Sequence, residues 1–186
     1  ENKISSAKVL VIGAGGLGCP VLQYLTAAGV GTIGIVDFDV VQLSNLQRQV
    51  IFGNSSLGKN KAIAAKTRLE DLNEEISIVA YPEKLTHKNA ANLFIEYDII
   101  VDGTDNFETR YLVNDACIIT SKPLVFGAIY KFEGQVSVFN YKDGPSYRCL
   151  FPNPPEKGSV PNFENNIRAW KYTFWEIIML QCFNTS

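Results

Sequence analysis

A glycine-rich turn between a short apolar run and a helix constrains this chain more than any other feature. Residues 8–12 read Lys-Val-Leu-Val-Ile, a β-branched stretch typical of a buried parallel strand. Residues 13–18 read Gly-Ala-Gly-Gly-Leu-Gly, and a stretch with helical periodicity follows. Gly13, Gly15 and Gly18 would let the backbone approach a phosphate closely, and a helix N-terminus supplies free N–H donors. The pattern predicts a nucleotide-binding strand–turn–helix unit, with tight strand–helix packing alone as the alternative.

Alternating strand-like and helix-like segments extend this unit along the chain. Strands are predicted at 8–12, 32–36, 76–80, 98–101 and 123–126. Helices are predicted at 18–28, 61–72, 88–95 and 107–119. This order predicts an α/β fold with a Rossmann-like, doubly wound and mostly parallel sheet. Residues 133–140 alternate like a half-exposed antiparallel strand near the C-terminal part, and residues 141–161, rich in proline and glycine, are predicted to form an extended loop.

Composition narrows the functional classes. The 186 residues suffice for one domain with a substantial core, and the net charge of −2 gives no reason to expect a nucleic-acid partner. The longest apolar run near the end, at residues 177–180, is too short to span a membrane. The four cysteines are scattered with no C-x-x-C pair, a pattern typical of reduced thiols. We therefore expect a cytoplasmic protein without a membrane partner.

A polar loop after the second predicted strand distinguishes between two nucleotide chemistries. Asp37 ends that strand, where its carboxylate can accept hydrogen bonds from a ribose. Up to this point a nicotinamide-dependent dehydrogenase is an equally good hypothesis. Residues 37–49 then read Asp-Phe-Asp-Val-Val-Gln-Leu-Ser-Asn-Leu-Gln-Arg-Gln, and Lys61 begins the next helix. Arg48 and Lys61 converging on a nucleotide would suit nucleotidyl transfer better than hydride transfer, although either alone could be a solvated surface charge.

Acidic residues follow the fourth predicted strand, where residues 102–106 read Asp-Gly-Thr-Asp-Asn. An acidic side chain at the carboxyl edge of a parallel sheet, facing phosphates, is a candidate ligand for Mg²⁺. Two other interpretations stay open. Asp105 and Asn106 are both good N-cap residues for the following helix, and Asp102 can serve the turn. Arg110, one turn into that helix, is expected to be exposed.

In combination these motifs resemble the ThiF/MoeB/HesA family of adenylyltransferases, relatives of the ubiquitin-activating enzymes. The matching stretches, in order and with the expected spacing, are residues 13–20, 37–39, 44–49, 58–61, 104–106, 133–135 and 147–155. The resemblance implies ATP-dependent adenylylation of the C-terminal Gly-Gly carboxylate of a ubiquitin-like sulfur-carrier protein. The carrier would serve thiamine or molybdopterin biosynthesis, and pyrophosphate would be released. The intact family form is expected to be a homodimer.

The resemblance also implies which residues form the site, with ATP and Mg²⁺ as cofactors. The catalytic residues would be Asn45, Arg48, Lys61 and Asp105. The ATP-binding residues would be Gly13, Gly15, Gly16, Gly18, Asp37, Asp39, Ser44, Asn45, Gln47, Arg48, Lys61, Asp105 and Asn106. Asp37 would hold the ribose, Asp105 would organise Mg²⁺, and Arg110 would contact the tail of the carrier.

Two positions depart from the family pattern in a way that bears on chemistry. Many relatives bind zinc through two C-x-x-C pairs, but residues 146–149 read Ser-Tyr-Arg-Cys and the second pair is absent. A single thiolate cannot build a tetrahedral site, so we predict no zinc site. A cysteine implicated in the thiol chemistry of some relatives is replaced by Phe163, which excludes sulfur transfer through that position.

The two ends of the chain also depart from the family. The only methionine is Met179 and no arginine precedes Arg48, whereas relatives carry an arginine that reaches ATP across a dimer. We therefore predict an adenylation domain over residues 1–162 with an incomplete N-terminus. The pattern is lost after Phe163, so residues 163–186 are interpreted as an atypical tail from a truncation or a shifted reading frame. The alternative functions are a catalytically impaired relative that binds nucleotide or carrier, and an NAD-dependent oxidoreductase.

Overall fold

Six strands form the sheet in the computed structural model, which describes residues 2–130 and 133–155. They are β1 (Lys8–Ile12), β2 (Thr32–Val36), β3 (Ser77–Tyr81), β4 (Ile99–Asp102), β5 (Leu124–Tyr130) and β6 (Glu133–Phe139). The spatial order is β3-β2-β1-β4-β5-β6, with β1 to β5 parallel and β6 antiparallel to β5. The prediction of a doubly wound, mostly parallel sheet with an antiparallel strand towards the C-terminal part is confirmed. Phe163 and the predicted tail lie outside the described residues.

The α-helices that accompany these strands are α1 (Asn2–Ser6), α2 (Gly18–Ala27), α3 (Lys61–Leu72), α4 (Ala90–Ile95), α5 (Phe107–Ile119) and α6 (Tyr147–Leu150). Of these, α1 and α6 were not predicted. The short α6 corrects the expectation of an extended loop over residues 141–161. It forms because Tyr147 is buried among aromatic rings, and its backbone N–H donates to Oδ1 of Asn114 on α5. These contacts are tertiary, so local composition gave no sign of the helix.

Both faces of the sheet are covered by helices, which explains the unbroken apolar run of β1. Val9 and Val11 pack into the cluster that includes residues of α2 and α3. Leu10 and Ile12 point to the opposite face and join the cluster that includes residues of α4 and α5. Because alternate side chains of this strand are buried on opposite faces, polar residues are excluded from it. The carboxyl edge of the sheet is left for the polar loops.

The turns after β1 and β4 are in close contact at this edge. β1 lies between β2 and β4, so the order of the strands reverses next to it. Gly13 has a φ of +92°, and a Cβ on it would lie 3.1 Å from the carbonyl oxygen of Gly103. A Cβ on Gly18 would overlap the carbonyl oxygen of Gly13. Open α/β sheets bind ligands at such a reversal point, and here the two backbones come together without side chains between them.

Candidate functional site

Asp37 connects the end of β2 to the glycine-rich turn. Its Oδ2 accepts a hydrogen bond from the backbone N–H of Ala14 at 2.8 Å, and its Oδ1 accepts one from the backbone N–H of Asp39 at 2.9 Å. Burial raises the pKa of the Asp37 carboxyl, and the two N–H donors act in the opposite direction. Asp37 therefore holds the turn in place, and each of its oxygens keeps a second lone pair for the predicted bond to a ribose.

Lys61 is the first residue of α3 and is only 6% exposed. Its Nζ lies 3.1 Å from Oδ2 of Asp39, which is itself half-exposed. Asn60 caps the helix, since its Oδ1 accepts from the backbone N–H of Ile63 and its Nδ2 donates to the carbonyl oxygens of Asp37 and Asp39. The interpretation of Lys61 as a solvated surface charge is wrong. Its ammonium is fixed beside the end of β2.

Arg48 lies against the glycine-rich turn. Its Nη1 donates to the carbonyl oxygen of Ser44 at 3.2 Å, and a Cβ placed on Gly16 would lie 3.7 Å from its Cδ. The thiol of Cys19, buried under the turn, donates to the carbonyl oxygen of Ala14. Burial raises the pKa of this thiol, and Lys61, Asp37 and Arg48 are close enough to influence it through their charges. Arg48 and Asp37 therefore both contact the glycine-rich turn.

The remaining loop residues divide into those that shape the loop and those that face solvent. Oδ1 of Asn45 accepts from the backbone N–H of Gln42, and its carbonyl oxygen accepts from the backbone N–H groups of Arg48 and Gln49. Ser44 and Gln47 are exposed. Gln49 was not predicted as a site residue. Its side chain is buried and approaches Gly15, and within residues 2–130 and 133–155 its Oε1 has no hydrogen-bond partner.

Three polar residues at the end of β4 and directly after it have different roles in the structure. Oδ1 of Asp102 accepts from the backbone N–H of Thr104 at 2.9 Å and from its hydroxyl at 2.6 Å, so Asp102 serves the turn. Oδ1 of Asn106 accepts from the backbone N–H of Thr109, so Asn106 is the cap of α5. The Asp105 carboxylate is exposed, with no hydrogen-bond or ion-pair partner in the described part of the chain. Of these three residues, it is the one free to bind a cation.

Arg110 is buried, which corrects the expectation that it is exposed. Only 5% of it is accessible. Its guanidinium lies over the rings of Phe107 and Phe126, 5.0 and 4.9 Å from their centroids, and its Nε is 3.9 Å from Oδ2 of Asp102. Burial raises the pKa of the Asp102 carboxyl, and the charge of Arg110 opposes this effect. Phe126 belongs to β5, so the burial of Arg110 depends on a residue distant in sequence.

The predicted site residues thus lie along one edge of the sheet, after β1, β2 and β4. The glycine-rich turn would accept phosphates, the two cations beside it would balance their charge, and Asp105 would bind a cation. No cluster of three or more histidine, cysteine or acidic residues suited to a metal ion occurs within the described ranges. Among the helices that the structure describes, none has the length and apolarity needed to cross a membrane.

Comparison with known proteins decides the family. The profile of the ThiF family matches residues 1–169. The chain belongs to the ThiF family. Over 167 residues this ThiF-family chain is 53% identical to a sulfur carrier protein adenylyltransferase of Thermus thermophilus, covering 87% of the chain and 62% of that protein. It is 54% identical to a probable adenylyltransferase/sulfurtransferase MoeZ of Mycobacterium tuberculosis, covering 87% of the chain and 42% of that protein.

Two solved structures share the fold of this chain. The crystal structure of Escherichia coli MccB with ATP matches with a TM-score of 0.72 and 29% identity, covering 80% of this chain and 44% of that one. MccB with AMPCPP and MccA matches with a TM-score of 0.74 and 28% identity, covering 79% of this chain and 45% of that one. The ThiF-family chain therefore spans less than two thirds of the length of the relatives it matches. The family predicted from its motifs is confirmed.

Proposed function

We propose that this ThiF-family chain contains the centre that adenylylates the C-terminal Gly-Gly carboxylate of a ubiquitin-like sulfur-carrier protein with ATP and Mg²⁺. The observation that carries the proposal is the placement of Arg48 along Gly16, together with the buried ammonium of Lys61 beside Asp39. Two cations at a glycine-rich turn suit charge that develops on phosphates. The proposal is further supported by the relatives named adenylyltransferases and by the MccB structure with ATP.

The proposed reaction needs no covalent nucleophile from the protein. A carboxylate oxygen of the carrier would bond to the α-phosphorus of ATP while the bond to the bridging oxygen breaks, and pyrophosphate would leave. Asn45, Arg48 and Lys61 would hold the phosphates and stabilise the transition state, with the charges of Arg48 and Lys61 offsetting those of the phosphates. The unpartnered carboxylate of Asp105 suits Mg²⁺, which prefers oxygen ligands and would balance the negative charge of the phosphates. Asp37 would hold the ribose.

The other predicted contacts are part of the same proposal. Binding of ATP would involve Gly13, Gly15, Gly16, Gly18, Asp39, Ser44, Gln47 and Asn106. We also propose a homodimer working in the cytoplasm, and a division into an adenylation domain over residues 1–162 and a separate tail over residues 163–186. The free thiols of Cys19, Cys117 and Cys149 are consistent with a reducing compartment.

Carrier-dependent ATP–pyrophosphate exchange tests the proposal. Two purified carriers ending in Gly-Gly, one from thiamine and one from molybdopterin biosynthesis, would be offered to the full chain. We expect exchange with one of them, and a loss of about 100-fold or more in Arg48→Ala and in Asp105→Ala. Arg68→Ala is the matched control, because Arg68 is an exposed arginine on α3 that pairs with Asp71, and its exchange should be unchanged.

The outcomes separate the competing functions. Undiminished exchange in both Arg48→Ala and Asp105→Ala would contradict the site assignment. Binding of ATP without any carrier-dependent exchange would favour the impaired relative over the enzyme. Tight binding of NADH in place of ATP would favour the oxidoreductase.

A further inference from the structure

Thr104 lies directly before Asp105, and all three of its polar groups are bonded to buried charged residues. Its backbone N–H and its hydroxyl donate to Oδ1 of Asp102, and its carbonyl oxygen accepts from Nη2 of Arg110 at 3.4 Å. Asp102 and Arg110 are 1% and 5% exposed. Arg110 is in turn fixed by the two aromatic rings on which it lies. Thr104 is therefore attached to the rigid interior through the peptide groups on both sides of it.

The residue after Asp105 is fixed as well. Asn106 is the cap of α5, and its Oδ1 accepts from the backbone N–H of Thr109 at 2.8 Å. Asp105 is thus a single exposed residue between two anchored neighbours, and its carboxylate has no partner in the part of the chain that the structure describes. A side chain that makes no hydrogen bond of its own, on a backbone that is fixed on both sides, is preorganised to bind a ligand.

Burial of the Asp102 carboxylate lowers the stability of the fold, and its hydrogen bonds to Thr104 do not fully offset this loss. Its Oδ2 and the Nε of Arg110 are both buried, and within the described residues neither has a hydrogen-bond partner, since the two atoms are 3.9 Å apart. A buried carboxylate with an unpartnered oxygen lowers stability relative to an apolar residue of similar size. Such a cost is typical of groups whose function is to fix a site.

We propose that Asp102 is a positioning residue, which acts through Thr104 to hold the carboxylate of Asp105 where it takes magnesium-bound ATP. The inference deepens the proposed adenylylation and rests on it. Asp102 itself does not touch the nucleotide, because its Oδ1 is occupied by Thr104 and its side chain is enclosed. Arg110 completes the arrangement by holding the carbonyl group of Thr104, whose peptide bond leads into Asp105.

The hydroxyl of Thr104 offers the most selective test. Replacing Asp102 would leave the buried guanidinium of Arg110 without its counter-charge and endanger the fold. Thr104→Val instead removes one bond to the carboxylate at nearly constant shape, and Thr104→Ser keeps that bond. We expect Thr104→Val to raise the Kd of ATP in the presence of Mg²⁺ by about tenfold, as for the loss of one hydrogen bond to a charged group. Thr104→Ser should stay within about twofold of the unchanged protein.

Calorimetric titration of the full chain with ATP, with and without Mg²⁺, measures these effects independently of turnover. Without Mg²⁺ the Kd of ATP should be the same in the unchanged protein, Thr104→Val and Thr104→Ser, because the substitutions alter only the part of the site that would hold the metal. The Mg²⁺ concentration for half-maximal exchange should rise in Thr104→Val by the same factor as the Kd. Thr104→Ala, which also lacks the hydroxyl but is smaller, replaces Thr104→Val if the valine variant does not fold, and the same shift is expected.

Each outcome is decisive. An unchanged Mg²⁺-dependent Kd in the variants without the hydroxyl, or equal losses with and without Mg²⁺, would overturn the positioning role. If the unchanged protein catalyses no carrier-dependent exchange, the proposed function fails, but the calorimetric comparison still decides whether Asp102 acts through Thr104. Exchange that is intact in the unchanged protein and insensitive to the Thr104 hydroxyl would refute the inference alone.

Discussion

Lys61 is a buried charged residue whose ion-pair partner is partly exposed to solvent. Its side chain is almost enclosed, whereas that of its partner Asp39 is 52% exposed. The pair therefore combines a desolvated ammonium with a carboxylate that water still screens. Lys61 is held at the first turn of α3, which Asn60 caps.

At the residue scale we predict that Asp39→Asn lowers the free energy of unfolding of the nucleotide-free protein by about 1–2 kcal/mol, because the Lys61 ammonium loses its counter-charge. Urea denaturation at neutral pH measures the change. Asp71→Asn is the matched control, since it breaks the exposed pair with Arg68 and should cost less than about 0.5 kcal/mol. Equal effects of the two substitutions would show that burial of Lys61 does not matter.

At the element scale, α6 is positioned by α5 rather than by its own propensity. A four-residue helix is too short to be stable alone. Arg148 binds Asp115 with two hydrogen bonds of 2.7 Å each, and its guanidinium lies over the ring of Tyr111. Tyr147 adds a backbone bond to Asn114 and packs against Phe126. The segment that follows β6 is thereby attached to the helix that carries Asn106 and Arg110.

The pair of Asp115 and Arg148 makes stability depend on pH. Hydrogen bonds from Arg148 lower the pKa of the Asp115 carboxyl, and burial partly opposes them. The stability gained is fully present above the unfolded-state pKa of about 3.9, and it is lost as pH falls through the lower folded-state pKa. We predict that Asp115→Asn lowers the free energy of unfolding by about 1 kcal/mol at pH 7.

Urea denaturation from pH 7 down to pH 2.5 would show this difference shrinking as the pH falls through the folded-state pKa of Asp115. Glu70→Gln, which breaks the exposed pair with Lys66 on α3, is the control and should change stability by less than about 0.5 kcal/mol at pH 7. A difference for Asp115→Asn that stays constant across the whole range would mean that the ion pair does not stabilise α6.

At the scale of the whole molecule, the turns that follow β1 and β4 meet at the carboxyl edge of the sheet. Gly13, Gly18 and Gly103 are in backbone contact there, so the turn after β1, the start of α2 and the turn after β4 form one unit. Side chains at these positions would separate β1 from β4. The close approach brings the glycine-rich turn and the segment that leads to Asp105 together.

We predict that two glycine substitutions in the same turn affect different properties, one the stability of the fold and the other the affinity for ATP. Gly18→Ala should lower the free energy of unfolding by about 3 kcal/mol or more, because its Cβ overlaps a carbonyl oxygen. Gly15→Ala should change it by less than about 1 kcal/mol, since its Cβ would meet only the Gln49 amide, at 3.9 Å. The Gly15 variant should still bind ATP about tenfold more weakly, because the methyl group would stand where a phosphate approaches.

Thermal melting and ATP calorimetry on both variants check this pair of predictions. A Gly18→Ala protein as stable as the unchanged chain would show that α2 can shift away from β1. Unaltered ATP affinity in a folded Gly15→Ala protein would place the phosphates elsewhere.

The sequence by itself determined the features that depend on chain neighbours. The apolar run before Gly13, the alternation of strands and helices, and the acidic residues after β4 all have local signatures, so the sheet was predicted correctly and the predicted site residues lie along one of its edges. The boundaries of β3, α4 and β4 moved by only one or two residues, within the range over which element ends vary. The family followed from the same motifs.

Only the tertiary structure decided which charges are buried and what they hold. Arg110 looked like a surface residue because nothing near it in sequence shows that Phe126, from a different strand, covers its guanidinium. The pairing of Asp102 with Arg110, the burial of Gln49 and the docking of α6 share this origin. Side-chain burial is set by contacts between elements that are distant along the chain, and no local pattern records which elements those will be.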